Sequence, residues 1–297
     1  MQTAPVLDAA LEFDDALLEW HGSRIWRRFW RHPLSLVGVA VLVFLVLFAF
    51  VGPIFYRVNP LATNFLLANA PPSAAHLLGT DALGRDYLSR VMVGGQTSLE
   101  VGFAAAVMSI VIGTIYGTVA GLIGGVVDMV MMRIVDVFLA VPALFILLFL
   151  NATFQPSALL LIFVLASVSW FGVSRLVRAE VLSLREREFV EAARATGSTI
   201  SRIIRKDLFP NYLGIVLVAA TFGVAESILT LAVLSFLGLG LPPPAPNWGG
   251  LLADAQNAMF VNAWWIIYPP GLCILLAELG INFIGDGLTQ AFDTRLR

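Results

Sequence analysis

Residues 185–211 read REREFVEAARATGSTISRIIRKDLFPN, the longest charged stretch in a chain that is otherwise mostly apolar. Arg185, Arg187, Arg194, Arg202, Arg205 and Lys206 supply six positive charges; Glu186, Glu188, Glu191 and Asp207 supply four negative ones. Apolar sequence ends at Val177 before it and resumes at Tyr212 after it. Placing each of these ions in hydrocarbon costs about 2.5–3.5 kcal/mol even on the mildest insertion scale, so the segment must sit in water between two membrane spans. Its internal pattern is more than that of a solvated loop. Glu188 to Ala195 reads as a short helix, with Phe189, Ala192 and Ala193 forming a small apolar face at i, i+3 and i+4 spacing. Gly197 ends it, because glycine takes the left-handed cap conformation without a Cβ penalty. Ser198 or Thr199 can cap a second helix, which runs through Ile200, Ile203 and Ile204 and is expected to stop at Pro210. Two alanines beside Glu191 make a shallow knob that a groove on a partner could accept.

Outward from this segment the chain is membrane-like. It has 297 residues, 59% of them hydrophobic and 13% charged, whereas soluble domains carry about 25% charged residues. Runs of roughly 20 apolar residues recur, which predicts an all-α membrane protein of six transmembrane helices. The expected division is a tail at 1–32, a first span at 33–53, a polar excursion at 54–95, a core of five spans at 96–290 that includes the charged loop 178–211, and a tail at 291–297. Met1 to Glu19 is acidic. Arg24 to Arg31 alternates cations with Trp26, Phe29 and Trp30, a pattern for an amphipathic segment on an anionic leaflet rather than a nucleic-acid site. In the excursion, Thr80 or Asp81 is expected to cap a short helix through Tyr87, Leu88 and Val91. The second span places Ala105, Ser109, Gly113, Gly117 and Gly121 at four-residue intervals, a stripe that lets another helix approach closely. In the third, Arg133 and Asp136 are spaced to pair, and Pro142 is expected to kink the helix. The fifth span is predicted from Leu213 to Leu241 and the sixth from Ile266 to about Gly287.

Charge placement gives an orientation. Of 18 Lys and Arg residues, 14 fall in the N-terminal tail, between Arg175 and Lys206, or in the C-terminal tail. The positive-inside rule therefore predicts both termini and the charged loop to be cytoplasmic. Catalytic constellations are missing. A phosphate-binding Walker loop needs Gly-Lys-Ser/Thr, and the one lysine, Lys206, follows Arg205. His21, His32 and His76 have neither metal-ligand nor triad spacing, and the single Cys273 excludes disulfides and cysteine metal clusters. Two carboxylates fall inside spans, Glu226 and Glu278. Such groups face a bundle interior or a water-filled path, so each is either a pathway residue or a paired structural one.

Several motifs occur in order: Leu78-Gly-Thr-Asp-Ala-Leu-Gly-Arg-Asp86, Arg133-Ile-Val-Asp136, Leu176-Val-Arg178, Leu182-Ser-Leu-Arg-Glu-Arg187, Glu191-Ala-Ala193 with Gly197 and Leu208-Phe-Pro210, Leu234-Ser-Phe-Leu-Gly-Leu-Gly240, Trp248-Gly249 and Gly285-Asp-Gly-Leu288. Over about 220 residues they resemble the C-type permease subunit of dipeptide, oligopeptide and nickel importers of the ATP-binding-cassette (ABC) class. The resemblance implies a type I importer permease fold in a bacterial or archaeal inner membrane. It makes the charged loop a coupling helix, carried by Arg187, Phe189, Glu191, Ala192, Ala193, Gly197 and Pro210. It implies a second homologous permease in a heterodimer, two cytoplasmic ATPase subunits and an external solute-binding protein as partners, with the lipid bilayer around them. ATP would be used by the partner subunits, with no cofactor or metal bound by this chain and no nucleic acid. The cargo would be a peptide or a related small solute. The alternative is an autonomous secondary transporter or channel, which inverted repeats or broken helices would favour; the sequence shows no clear repeat.

Overall fold

The computed structural model describes residues 25–154, 157–259 and 262–292. The expectations for the acidic tail through residue 24 and for residues 293–297 lie outside these. A short helix, α1 (25–31), leads to His32, whose ring caps α2 (Pro33–Phe55) by accepting from the Ser35 amide at 3.4 Å. Pro33 suits the first turn, where its missing N–H would have no partner anyway. Among the described residues five helices are long and apolar enough to cross a bilayer: α2, α3 (Tyr87–Ile123), α6 (Ala158–Leu184), α8 (Ile200–Phe236) and α10 (Trp264–Phe292). The pair α4 (Gly125–Leu139) and α5 (Ala143–Thr153), bent by 80° at their junction, is apolar enough to make six when the two are taken as one broken span. Two further helices are shorter, α7 (Glu188–Ala195) and α9 (Trp248–Ala258).

The expected helix starting at Thr80 or Asp81 does not form. Asp81 spends its carboxylate on a turn, accepting from the Leu83 and Arg85 amides at 2.9 and 3.0 Å, and Gly84 turns the chain with φ +70°. The cap falls instead on Asp86, which accepts from the Ser89 amide at 2.8 Å and starts α3 directly. At 37 residues and 1.5 Å per residue, α3 is about 55 Å long and overreaches a hydrocarbon core of about 30 Å. Its first turns therefore stand beyond the bilayer.

The small-residue stripe packs as its spacing predicts. Along the α3–α6 seam, a Cβ on Gly117 would lie 2.4 Å from the Ser174 carbonyl oxygen, and one on Gly113 would lie 2.6 Å from Val173 Cβ. Backbones this close leave no room for a side chain, and dispersion replaces the hydrophobic drive that lipid cannot give. Ala105 continues the contact against Leu161, Val164 and Leu165.

Four expectations about the spans are corrected. At Pro142 the chain breaks rather than kinks, since proline removes an amide donor and disfavours helical geometry in the residue before it. Asp136 pairs with Arg175 and not with Arg133, and Asp128 forms a two-pronged pair with Arg178. α6 presents its cations across the face where these acids point, while Arg133 is exposed and has no ion pair among the described residues. The fifth span ends at Phe236, five residues early, because Gly238 at φ +83° turns the chain and the Leu239 amide reaches back to the Leu234 carbonyl at 2.9 Å. The sixth span is longer than expected at both ends.

Candidate functional site: the charged loop

α7 occupies Glu188 to Ala195, the bounds read from the sequence. Arg187 is its extended N-cap residue, with φ −81° and ψ 146°, and its carbonyl accepts from the Val190 amide at 3.0 Å. The helix ends in a Schellman turn: Gly197 N donates to the Arg194 carbonyl and Ser198 N to the Ala193 carbonyl, each at 3.0 Å. Gly197 has φ +78°, which any other residue adopts only under strain. Thr199 then caps α8 by accepting from the Arg202 amide at 3.4 Å.

The face of α7 that holds it to the bundle differs from the one expected. Val190, fully buried, is the anchor, and it sits in a cluster with Val177, Val181, Ile203, Leu208 and Tyr212. Ala193, one turn on, packs half-buried against the same cluster. Phe189 and Ala192 point away into the open with Glu188, Glu191 and Arg194. So Phe189, Ala192 and Ala193 do not share one apolar face; Ala193 faces in, and the other two form an exposed rim. Val190 was missed because its partners lie on α6 and α8, beyond any local pattern. Its spacing to Ala193, i to i+3, was the available signal.

Pro210 does not end the second helix. The ladder widens to a π turn over Ile203–Leu208, and α8 continues through the proline at its next turn. A side-chain amide helps here: Asn211 Nδ2 donates to the Asp207 carbonyl at 2.6 Å. π turns of this kind accommodate a residue that breaks the regular i to i+4 ladder. The consequence is mechanical. The charged loop and the span after it are one continuous rod from Ile200 to Phe236.

Two side chains tie the same end of the bundle together. Arg185 Nη1 donates to the Gly121 carbonyl at 2.8 Å, satisfying an acceptor at the end of α3. Tyr212 and Thr118 share a buried hydroxyl hydrogen bond at 2.9 Å. With the Arg178–Asp128 pair, these contacts connect α7's flanks to the α3–α4 corner.

The two intramembrane acids fall on one seam. α8 and α10 run antiparallel, with Gly214 set against Phe292 and Phe222 against Gly285. That register puts Glu226 level with Ile281 and Glu278 level with Leu229, about 4.5 Å apart along the seam at 1.5 Å per residue. Glu226 is exposed; Glu278 is half-buried, with Oε1 buried and without a hydrogen-bond partner. Neither has an ion-pair partner among the described residues. A third acid, Glu100 on α3, is exposed and escaped the sequence reading. Elsewhere an apolar groove of 570 Å³ opens where α5 crosses α6, lined by Phe145, Phe149, Trp170 and Phe171 among others.

Residues 109–297 match the family described as binding-protein-dependent transport system inner membrane component, and residues 22–72 match the N-terminal transmembrane domain of oligopeptide transport permease C. The oligopeptide transport system permease protein OppC of Bacillus subtilis strain 168 is 39% identical over 270 residues, 91% of this chain and 88% of its own. OppC of Escherichia coli K12 is 39% identical over 286 residues, 94% of each chain. The dipeptide transport system permease protein DppC of B. subtilis is 38% identical over 272 residues, 92% of this chain and 85% of its own. Among solved structures, the inward-facing MetNI methionine ABC transporter aligns with a TM-score of 0.54 at 21% identity, over 67% of this chain and 94% of that one, a likeness of fold.

Proposed function

Because the chain belongs to the family of binding-protein-dependent transport system inner membrane components, we propose that it is one permease subunit of an ATP-driven importer of peptides or related small solutes. The relatives' names describe oligopeptide and dipeptide permeases, which supports the peptide class and argues against an autonomous transporter or channel. In this reading the subunit pairs with a second homologous permease, two ATPase subunits bind it from the cytoplasm, and a solute-binding protein delivers cargo from outside. The chain binds no cofactor; ATP is used by the partners. Both termini and the charged loop are cytoplasmic in this reading, which the cation placement supports.

The observation that carries the mechanism is α7, a polar helix whose one buried residue, Val190, seats it on the bundle while Phe189, Glu191 and Ala192 stay exposed. An ATPase groove takes that exposed rim. Closure of the ATPases then moves α7, and the motion passes along the α8 rod and through Arg178 and Arg185 to the α3–α4 corner. Alternating access follows at the seam carrying Glu226 and Glu278, which face the translocation path.

The test uses bulk on the rim. Ala192→Trp and Gly197→Val are expected to insert at normal levels, since Ala192 is exposed and a Cβ at Gly197 meets nothing within 4 Å. Both are expected to lose ATPase association and uptake together, the valine through its resistance to the left-handed turn. Ser183, exposed outside the rim, is expected to tolerate replacement. Full uptake by Gly197→Val with a normal complex would sink the coupling assignment.

A further inference from the structure

At the opposite end of the bundle, the excursion 54–86, the start of α3, the helix α9 and the start of α10 enclose a second charged cluster. Asp81 lies at its centre, bonded through Oδ2 to Arg85 Nε at 2.7 Å. Arg90, on the first turn of α3, is 5% exposed along its side chain. Its Nε comes within 3.3 Å of Asp81 Oδ2 yet is not aligned for a hydrogen bond, and its Nη1 has no hydrogen-bond partner. The remaining group, Nη2, stands 3.8 Å from Asp254 Oδ2, too far for a hydrogen bond. A buried guanidinium with N–H groups unclaimed is short of an acceptor, and that shortage is expensive in a low-dielectric site.

Arg85, Asp81 and Asp254 line a cavity of 340 Å³, and the two acids are Arg90's own ion partners. Asp254 is at its mouth, 56% exposed. It is thus a loosely held partner that another carboxylate can displace. The rim beside the cavity is apolar and exposed. Phe65 and Leu66, 71% and 94% exposed, form a turn stitched to the cavity wall by Asn64 N to the Leu83 carbonyl at 3.2 Å and Asn69 N to the Asp81 carbonyl at 2.9 Å. A desolvated arginine flanked by exposed apolar side chains is the anatomy of a protein–protein hot spot. A small ligand would have no use for such a rim.

We propose that the cavity lined by Arg85 and Asp254 and the Phe65–Leu66 turn form a docking surface for a soluble protein on the outer side, which inserts an acidic side chain past Asp254 onto Arg90 and lays apolar side chains against the turn. This rests on the importer reading, in which the outer partner is the solute-binding protein. Asp254 holds the arginine between dockings and gives way when the partner's carboxylate enters.

The experiment reconstitutes the whole importer in nanodiscs and titrates in its purified binding protein, following ATPase stimulation over each variant's own basal rate. Leu66→Asp and Arg90→Gln are expected to raise the half-stimulating concentration about tenfold or more, the scale of losing a hot-spot contact. Asp254→Asn, which removes the competing carboxylate, is expected to lower it. Wild-type response in both Leu66→Asp and Arg90→Gln would overturn the proposal, as would weakening by Asp254→Asn. Should Arg90→Gln fail to assemble, Leu66→Asp, on a fully exposed turn, decides alone. A wild-type complex that its binding protein does not stimulate would instead overturn the importer reading, and this surface with it.

Discussion

α7 and the opposite end of the bundle are held by different physics. α7 itself is seated by apolar contact, with Val190 and Ala193 on a cluster drawn from α6 and α8, while hydrogen bonds reach only the flanking Arg185 and Tyr212. At the other end, hydrogen bonds of long sequence separation fasten the chain. Tyr87 donates to the Ile266 carbonyl at 2.7 Å, Trp248 Nε1 to the Val91 carbonyl at 3.0 Å, and Asp86 accepts from Tyr56 at 2.8 Å and sits 2.8 Å from His76 Nδ1. Apolar contact is non-directional and lets a helix rock, whereas buried hydrogen bonds lose most of their worth when geometry slips. α7 is therefore seated, while the opposite end of the bundle is stitched.

Asp86 offers the largest break in that contrast. It caps α3 and takes both Tyr56 and His76 while itself 2% exposed, and Tyr56 is held up to about 12 by burial and by the adjacent Asp86. Asp86→Ala is expected to destabilise the protein by about 2–4 kcal/mol, from the cap and from donors left without an acceptor. Thermal unfolding in detergent should show it, with Asp86→Asn intermediate because the amide oxygen still caps. A silent Asp86→Ala would mean the stitched end is not stitched.

Val190→Ala sharpens the other half. Losing two buried methyl groups is worth about 1–2 kcal/mol, and here the loss is local to α7. The global unfolding midpoint is expected to move little, while protease cutting near Gly197 speeds up and ATPase association weakens. A global midpoint shift with no local effect would show α7 to be part of the rigid core.

The smallest effect belongs to Arg175. Its pair with Asp136 is about half exposed on both sides, and such pairs contribute about 0–1 kcal/mol. Arg175→Gln is expected to leave unfolding nearly unchanged. Arg178→Gln, whose two-pronged partner Asp128 is mostly buried, should cost more. Equal effects would remove the distinction between a surface pair and a structural one.

Local signals were legible and distant ones were not. α7 could be bounded to the residue because its start, its apolar spacing and Gly197 all lie within ten positions. The Gly113–Gly117–Gly121 stripe was equally plain, since helix period alone sets it. Val190 escaped because burial is decided by α6 and α8. The cap moved from Thr80 or Asp81 to Asp86 because Asp81 had a better use in its own turn and with Arg85. Asp136 turned from Arg133 to Arg175 because α6 places a cation across the face, which no spacing rule registers. Pro210 was read as a stop because a π turn before it cannot be seen in propensity. The cavity beside Asp81 and Arg85 needed Asp254, more than 150 positions further along the chain, and only the i to i+4 pairing of Asp81 with Arg85 hinted at it.

The central claim is that α7's exposed rim meets the ATPase from the cytoplasmic side. With Cys273 replaced, single cysteines at Ala192, Val190 and Leu66 can be probed in the assembled importer in native membranes. The account predicts that Ala192→Cys crosslinks to the ATPase subunit and resists an impermeant thiol reagent added outside. Leu66→Cys should react with that reagent, and the buried Val190→Cys should do neither. Labelling of Ala192→Cys from outside, or its failure to crosslink in a complex that hydrolyses ATP, would contradict it.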